Sequence, residues 1–317
     1  MNDIRRTILW VIFGFSLVML WDKWQIHNGN KATFFPAPPA QTASAPAATA
    51  TGAGTASVPA PSATPAVAAQ PPTGGPAPVV ASTRERISVS TDVLRLAFDT
   101  EGASLVHGEL LKYPESASDA KPFLLLDESG NRVYVAQTGL IGGAYPTHKT
   151  PMAVVPGARE LKDGEQELVV RFESPDLGGV KLVKTWTLKR GAYDIAVRHE
   201  VVNTGTAPVS PQLYLQLVRD GNKPAGESSF YSTFTGPAVY TEAKKYQKVE
   251  FKDIENGKAE IDKSSSDGYV AMVQHYFATA WLLGDGVARD LFVRKVDNNL
   301  YAVGMITQLG EIAPGDR

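Results

Sequence analysis

The distribution of apolar and polar positions divides the chain into three unlike zones. From Thr7 to Trp21 the sequence TILWVIFGFSLVMLW holds fifteen uncharged, mostly apolar residues, with Arg6 before it and Lys23 after it. Snorkelling of those two side chains brings the run close to the roughly 20 residues that a helix needs to cross a bilayer, so a transmembrane helix is predicted at about 7–24. From Ala32 to Thr83 neither helical nor strand periodicity survives. From Ile87 onward the pattern is alternation, interrupted by turn residues at short intervals, which predicts β-strands. In VLRLAF, Leu94, Leu96 and Phe98 fall on one face and Val93, Arg95 and Ala97 on the other, before a turn over Asp99–Gly102. Strands over 180–188 and 193–201 flank the turn Lys189-Arg190-Gly191-Ala192, with Tyr193, Ile195, Val197, His199 and Val201 on one face. A further hairpin is predicted from Phe277–Leu283 through Gly284-Asp285-Gly286 to Leu291–Val296, and Asp297-Asn298-Asn299 leads into a strand over 300–306. With more than a dozen such strands and only short helices, the fold expected is all-β, a large two-sheet sandwich.

The residues after the apolar run decide between an anchor and a cleaved signal. Asp22, Lys23, Trp24, Gln25, Ile26 and His27 are charged or bulky, and a signal-peptidase site needs small residues there. The segment is therefore read as a signal anchor, with Trp21 and Trp24 suited to the interfacial aromatic belt. Arg5 and Arg6 place the basic excess on the N-terminal side, which predicts a cytoplasmic N-terminus and a periplasmic remainder.

Composition changes the picture chiefly in the middle. Residues 32–83 contain no Asp, Glu, Lys, Arg or His and are dominated by Ala, Pro, Thr, Ser and Gly. Such a segment buries too little to offset its ordering entropy, so a disordered linker is expected, its ends on the order of 40 Å apart. Residues 84–317 carry 27 basic and 31 acidic side chains, a mildly acidic balance that argues against a nucleic-acid partner. That zone is long enough to bury a core unaided, so the lack of cysteine costs it nothing.

Little in the zone suggests catalysis. His27, His107, His148, His199 and His275 are scattered without metal-ligand spacing, and no nucleophile elbow or phosphate loop occurs. His199 and Glu200 could do acid/base work together, but neighbours on a strand point to opposite faces. No catalytic residue, metal or cofactor is expected. The segment 222–263 mixes Phe230, Tyr231, Phe234, Tyr240 and Tyr246 with Lys244, Lys245, Lys248 and Lys252. Aromatics among charges suit a partner-docking surface, for which Tyr240, Lys244, Lys245, Tyr246 and Lys248 are the candidates. The same aromatics could instead belong to the core.

Three stretches together resemble the Gram-negative form of the YidC family of membrane protein insertases. They are ISVSTDVLRLAFDTEGASL (Ile87–Leu105), KTWTLKRGAYDIAV (Lys184–Val197) and GYVAMVQHYFATAWL (Gly268–Leu282), the last being the most specific. The order of anchor, low-complexity linker and β domain agrees. The resemblance implies a supersandwich like that of the galactose mutarotases, without their activity, since function lives in a site and not in a fold. It also implies partners: nascent transmembrane segments of inner-membrane proteins, the Sec translocase with its accessory subunits, and the bilayer. Nascent segments would use a membrane groove of five further helices marked by a buried arginine, which these 317 residues do not contain. The chain is accordingly expected to be cut short, ending in a turn at Ile312–Arg317. The alternatives are an anchored periplasmic carbohydrate-binding or mutarotase-like protein, and an adhesion or scaffold module.

Overall fold

The computed structural model describes Trp21 and residues 84–317, apart from 117–118, 131 and 225–232. Trp21 is helical and half exposed. The predicted transmembrane helix and linker otherwise lie outside the described residues, among which no helix is long and apolar enough to cross a membrane.

Among the described residues the alternation seen in the sequence becomes seventeen strands in two layers. The first layer is a nine-stranded sheet of order β1-β2-β3-β4-β5-β10-β17-β16-β13. Its strands are β1 (Arg86–Ser90), β2 (Leu94–Asp99), β3 (Ser104–Ser116), β4 (Asp119–Ser129), β5 (Arg132–Ile141), β10 (Gln212–Asp220), β13 (Ser264–Ser265), β16 (Arg289–Asp297) and β17 (Leu300–Gln308). The second layer is divided into two four-stranded sheets. One, β6-β7-β8-β9, is formed by β6 (Ala153–Val154), β7 (Glu167–Glu173), β8 (Val180–Lys189) and β9 (Ile195–Asn203). The other, β12-β11-β14-β15, is formed by β11 (Thr235–Thr241), β12 (Lys245–Lys248), β14 (Tyr269–Gln274) and β15 (Phe277–Leu282). The five-residue helix α1 (Phe251–Glu255) completes the described elements.

One hydrophobic core joins all three sheets, because alternate residues of their longer strands point into it. Leu94, Leu96 and Phe98 enter from β2, Leu168, Val170 and Phe172 from β7, and Val270 and Met272 from β14. The turn after β2 forms where it is expected, with Asp99 Oδ1 accepting the Glu101 N–H at 2.8 Å. Gly102 follows at φ 71°, and a Cβ there would lie 2.2 Å from the His148 carbonyl oxygen, so that corner admits only glycine. The central strand β10 is buried at all nine positions, paired to β5 on one side and β17 on the other.

The hairpin over 180–201 is present as β8–β9, with Leu188 opposite Ile195, so the second strand starts two residues later than the alternation suggests. The hairpin predicted between Phe277–Leu283 and Leu291–Val296 does not exist. β15 pairs with β14 in a small sheet, whereas β16 pairs with β17 and β13 in the large one. Gly284–Gly286 thus lies where the chain changes layers. Arg289 secures that crossing by donating to the carbonyls of Ser266, Gly268, Leu283, Gly284 and Val287.

Candidate functional site

Between the two small sheets a groove of about 730 Å³ opens onto the inner face of the large sheet. Leu94 and Leu96 of β2, Leu105 and Leu110 of β3, Leu125 of β4 and Leu217 of β10 form its floor. Ile195 at the start of β9 stands on one side and β15 on the other. These strands are the terminal members of their sheets, which is why the groove lies there. Trp186 and Trp281 approach across the gap, ring centroids 6.2 Å apart, and Trp281 is fixed by its Nε1–H donating to the Gln216 carbonyl at 3.0 Å. The buried Nε1 of Trp186 has no acceptor among the described residues.

The mouth is aromatic. Tyr113 contacts Tyr193 at 5.7 Å and Phe277 at 5.6 Å, and Phe277 stacks on Phe123 at 4.2 Å. Tyr276, at the tip of the β14–β15 hairpin, is 83% exposed. Asp194 is the one charged residue lining the groove among the described residues. Tyr134 holds β15 in place from the large sheet. Its hydroxyl donates to the Met272 carbonyl at 2.9 Å and lies 2.7 Å from Thr279 Oγ1, and burial pushes its pKa up to about 12.

The candidate docking residues gather on a different feature, the β11–β12 hairpin, where Tyr240 faces Tyr246 and Thr241 faces Lys245. Tyr240 stacks on Tyr269 at 5.4 Å with rings 7° from parallel, and Tyr246 is exposed. The lysines are less available than the sequence suggests. Lys244 pairs with Asp262 at 3.0 Å, Lys245 with Glu242 at 2.6 Å, and Lys248 lies 5.2 Å from the Phe234 ring. The hydrogen bond from Lys245 holds the Glu242 carboxyl below the usual carboxylate range. Phe230 and Tyr231 lie outside the described residues.

His199 and Glu200 point apart, as their strand requires. His199 Nε2 lies 2.9 Å from Thr138 Oγ1 in the large sheet, while Glu200 pairs outward with Arg171 and Arg198. Beside His199, on β8, Lys184 is wholly buried and donates to the carbonyls of Gly102 at 2.6 Å and Thr138 at 2.8 Å. Burial pushes Lys184 down to about 7. Burial, with the nearby Lys184 charge, pushes His199 down to about 3. Neither has a carboxylate partner, and no group of three or more metal-ligand side chains occurs among the described residues. The pair is built as a polar support between layers.

The family described as YidC periplasmic domain matches residues 86–317. The chain belongs to the YidC family. Membrane protein insertases named YidC from Bordetella parapertussis and Janthinobacterium sp. are 52% and 47% identical to it. The alignments cover 99% of this chain in both cases, and 56% and 55% of those relatives. The chain thus spans about half the length of the curated YidC relatives it matches. A galactose mutarotase-like protein from Lactobacillus casei aligns over 73% of this chain and 96% of its own, at 9% identity and TM-score 0.39. A putative aldose 1-epimerase from Escherichia coli aligns over 74% and 96%, at 10% identity and TM-score 0.39. Likenesses that distant carry no functional argument. Sequence reasoning pointed to the stretch 268–282 as a mark of the YidC family and to the β11–β12 aromatics as a surface, but missed the groove, whose floor is assembled from four separate strands.

Proposed function

We propose that this chain is the membrane anchor and periplasmic domain of an inner-membrane protein insertase, aiding insertion, folding and assembly of membrane proteins alone or with the Sec translocase. The observation that carries the reading is the 52% identity over 99% of the chain to a membrane protein insertase. The division that follows is a signal-anchor helix at about 7–24 within residues 1–31, a linker over 32–83, and a periplasmic β domain over 84–317. Arg5 and Arg6 favour a cytoplasmic N-terminus. The role assigned to the β domain is not an enzymatic one.

Depleting the protein from its own host should leave newly made, single-span inner-membrane proteins uninserted, scored by loss of protease access to their pulse-labelled periplasmic tails. Normal insertion in depleted cells, together with a loss of sugar anomer interconversion by polarimetry, would favour the mutarotase-like alternative instead.

The β11–β12 hairpin is the surface proposed for Sec accessory subunits. Tyr246 is exposed, and Tyr240 stacks on Tyr269 across the two central strands of its sheet and lies outside the core cluster. Replacing both by serine should weaken co-purification with Sec components severalfold while leaving the unfolding midpoint nearly unchanged. A large fall in that midpoint would assign the two rings to structure.

A further inference from the structure

We infer that β15 is an acceptor strand whose open edge, with the groove beside it, takes an extended, uncharged, apolar peptide segment flanked by a basic residue as an added β-strand. This is read from geometry and does not depend on the insertase reading.

An exposed strand edge invites pairing with another chain, and folded proteins usually blunt it with charge, proline, brevity or cover. The other edges here are protected in those ways. In the large sheet, β13 is two residues long, and Ser90 of β1 is bonded to Arg159 and Leu161. In the small sheets, β6 has two residues, β12 carries Lys245 and Lys248, and β9 carries Arg198 and Glu200 with its far end bonded to Gly315 and Asp316. β15, FATAWL, has no charge and no proline, and among the described residues no backbone bonds to its free edge.

Its backbone is set for pairing. His275 and Tyr276 form a two-residue turn with Gln274 opposite Phe277, so Phe277, Thr279 and Trp281 exchange ladder hydrogen bonds with β14. The N–H and C=O groups of Ala278, Ala280 and Leu282 therefore point away from β14, and none has a partner among the described residues. Side chains on a strand stand above and below the sheet plane, so a neighbouring backbone can approach this edge to the ~4.8 Å of a sheet. Alternate side chains of an added strand would face the leucine floor, which fixes the class of occupant as apolar. Among the described residues Asp194 is the only charge lining the groove, so its complement is a cation flanking the apolar segment.

The test uses the whole 317-residue chain in lipid nanodiscs and a fluorescent heptapeptide, an N-terminal lysine followed by alternating valine and threonine, read by anisotropy. Two further peptides carry N-methyl groups on the odd or on the even residues. Saturable binding of the parent is expected, with one methylated peptide at least about tenfold weaker, as the loss of several ladder hydrogen bonds requires. Ala280→Pro should weaken the parent comparably, because that N–H faces away from β14 and an edge proline is tolerated there. Asp194→Lys should weaken the lysine peptide and strengthen one that begins with glutamate. Equal binding of all three peptides, or their displacement by a free fatty acid without any effect of methylation, would replace the added strand by a plain apolar pocket and overturn the proposal. No binding would also overturn it, as would a concentration-dependent dimer of the chain abolished by Ala280→Pro, which would assign the edge to a second copy. The methylated peptides need no variant, so a misfolded Ala280→Pro leaves the test intact.

Discussion

Phe98→Ala is expected to lower the stability of the β domain by about 3–5 kcal/mol, the usual range when a fully buried aromatic ring is deleted. The ring has no exposure and lies 5.0 Å from Trp186 and 5.7 Å from Phe172, so it bridges the large sheet and a small one. The surrounding residues are rungs of two paired sheets and cannot collapse far into the vacated space. Urea unfolding followed by tryptophan fluorescence measures the loss, and Phe98→Leu should recover more than half of it. A loss below about 1 kcal/mol would mean that the layers do not depend on this contact.

The second large effect is one of pH. Lys184 titrates at about 7 in the folded domain and near 10.5 when unfolded. Between those values the unfolded chain holds a proton that the folded chain lacks, so folding becomes more favourable as pH rises, at up to about 1.4 kcal/mol per unit. Below the folded value both states are charged and the slope vanishes, with the cost of burying the ammonium fully present. Lys184→Met removes the titration, so the stability difference between wild type and variant should grow in favour of wild type from pH 7.5 to 10. At any one pH the sign of that difference also reflects the Gly102 and Thr138 carbonyls, which the methionine leaves without their donor. A difference constant across that range would show that Lys184 keeps its ordinary pKa inside the sheets.

These residues also show how far the chain could be read before its structure was known. Alternation gave the all-β class, the β2 face of Leu94, Leu96 and Phe98, and the β8–β9 hairpin, because period two and a glycine turn are local properties. Pairing across layers is not local. Gly284–Gly286 has the composition of a hairpin turn, yet there the chain leaves one sheet for another, a choice set by the carbonyls that Arg289 gathers. Lys184 breaks the apolar alternation of β8 and could have been flagged on that ground, but its carbonyl acceptors come from residues 46 and 82 positions away. The β11–β12 aromatics were legible as a cluster. The ion pairs that blunt their lysines were not, because Asp262 approaches Lys244 only in the fold.

β10 sets a condition on when the molecule can become itself. All nine of its residues are enclosed, and its two neighbours are β5, which ends about seventy residues before it, and β17, which starts about eighty residues after it. A ribosome delivers them in that order. For the whole interval in which residues 221–299 are being made, β10 can be satisfied along one margin only, and the other stays bare and apolar. The nascent domain is therefore incomplete until its last long strand has arrived, and any factor that shields the growing polypeptide must act on a half-built sheet rather than on an unfolded coil.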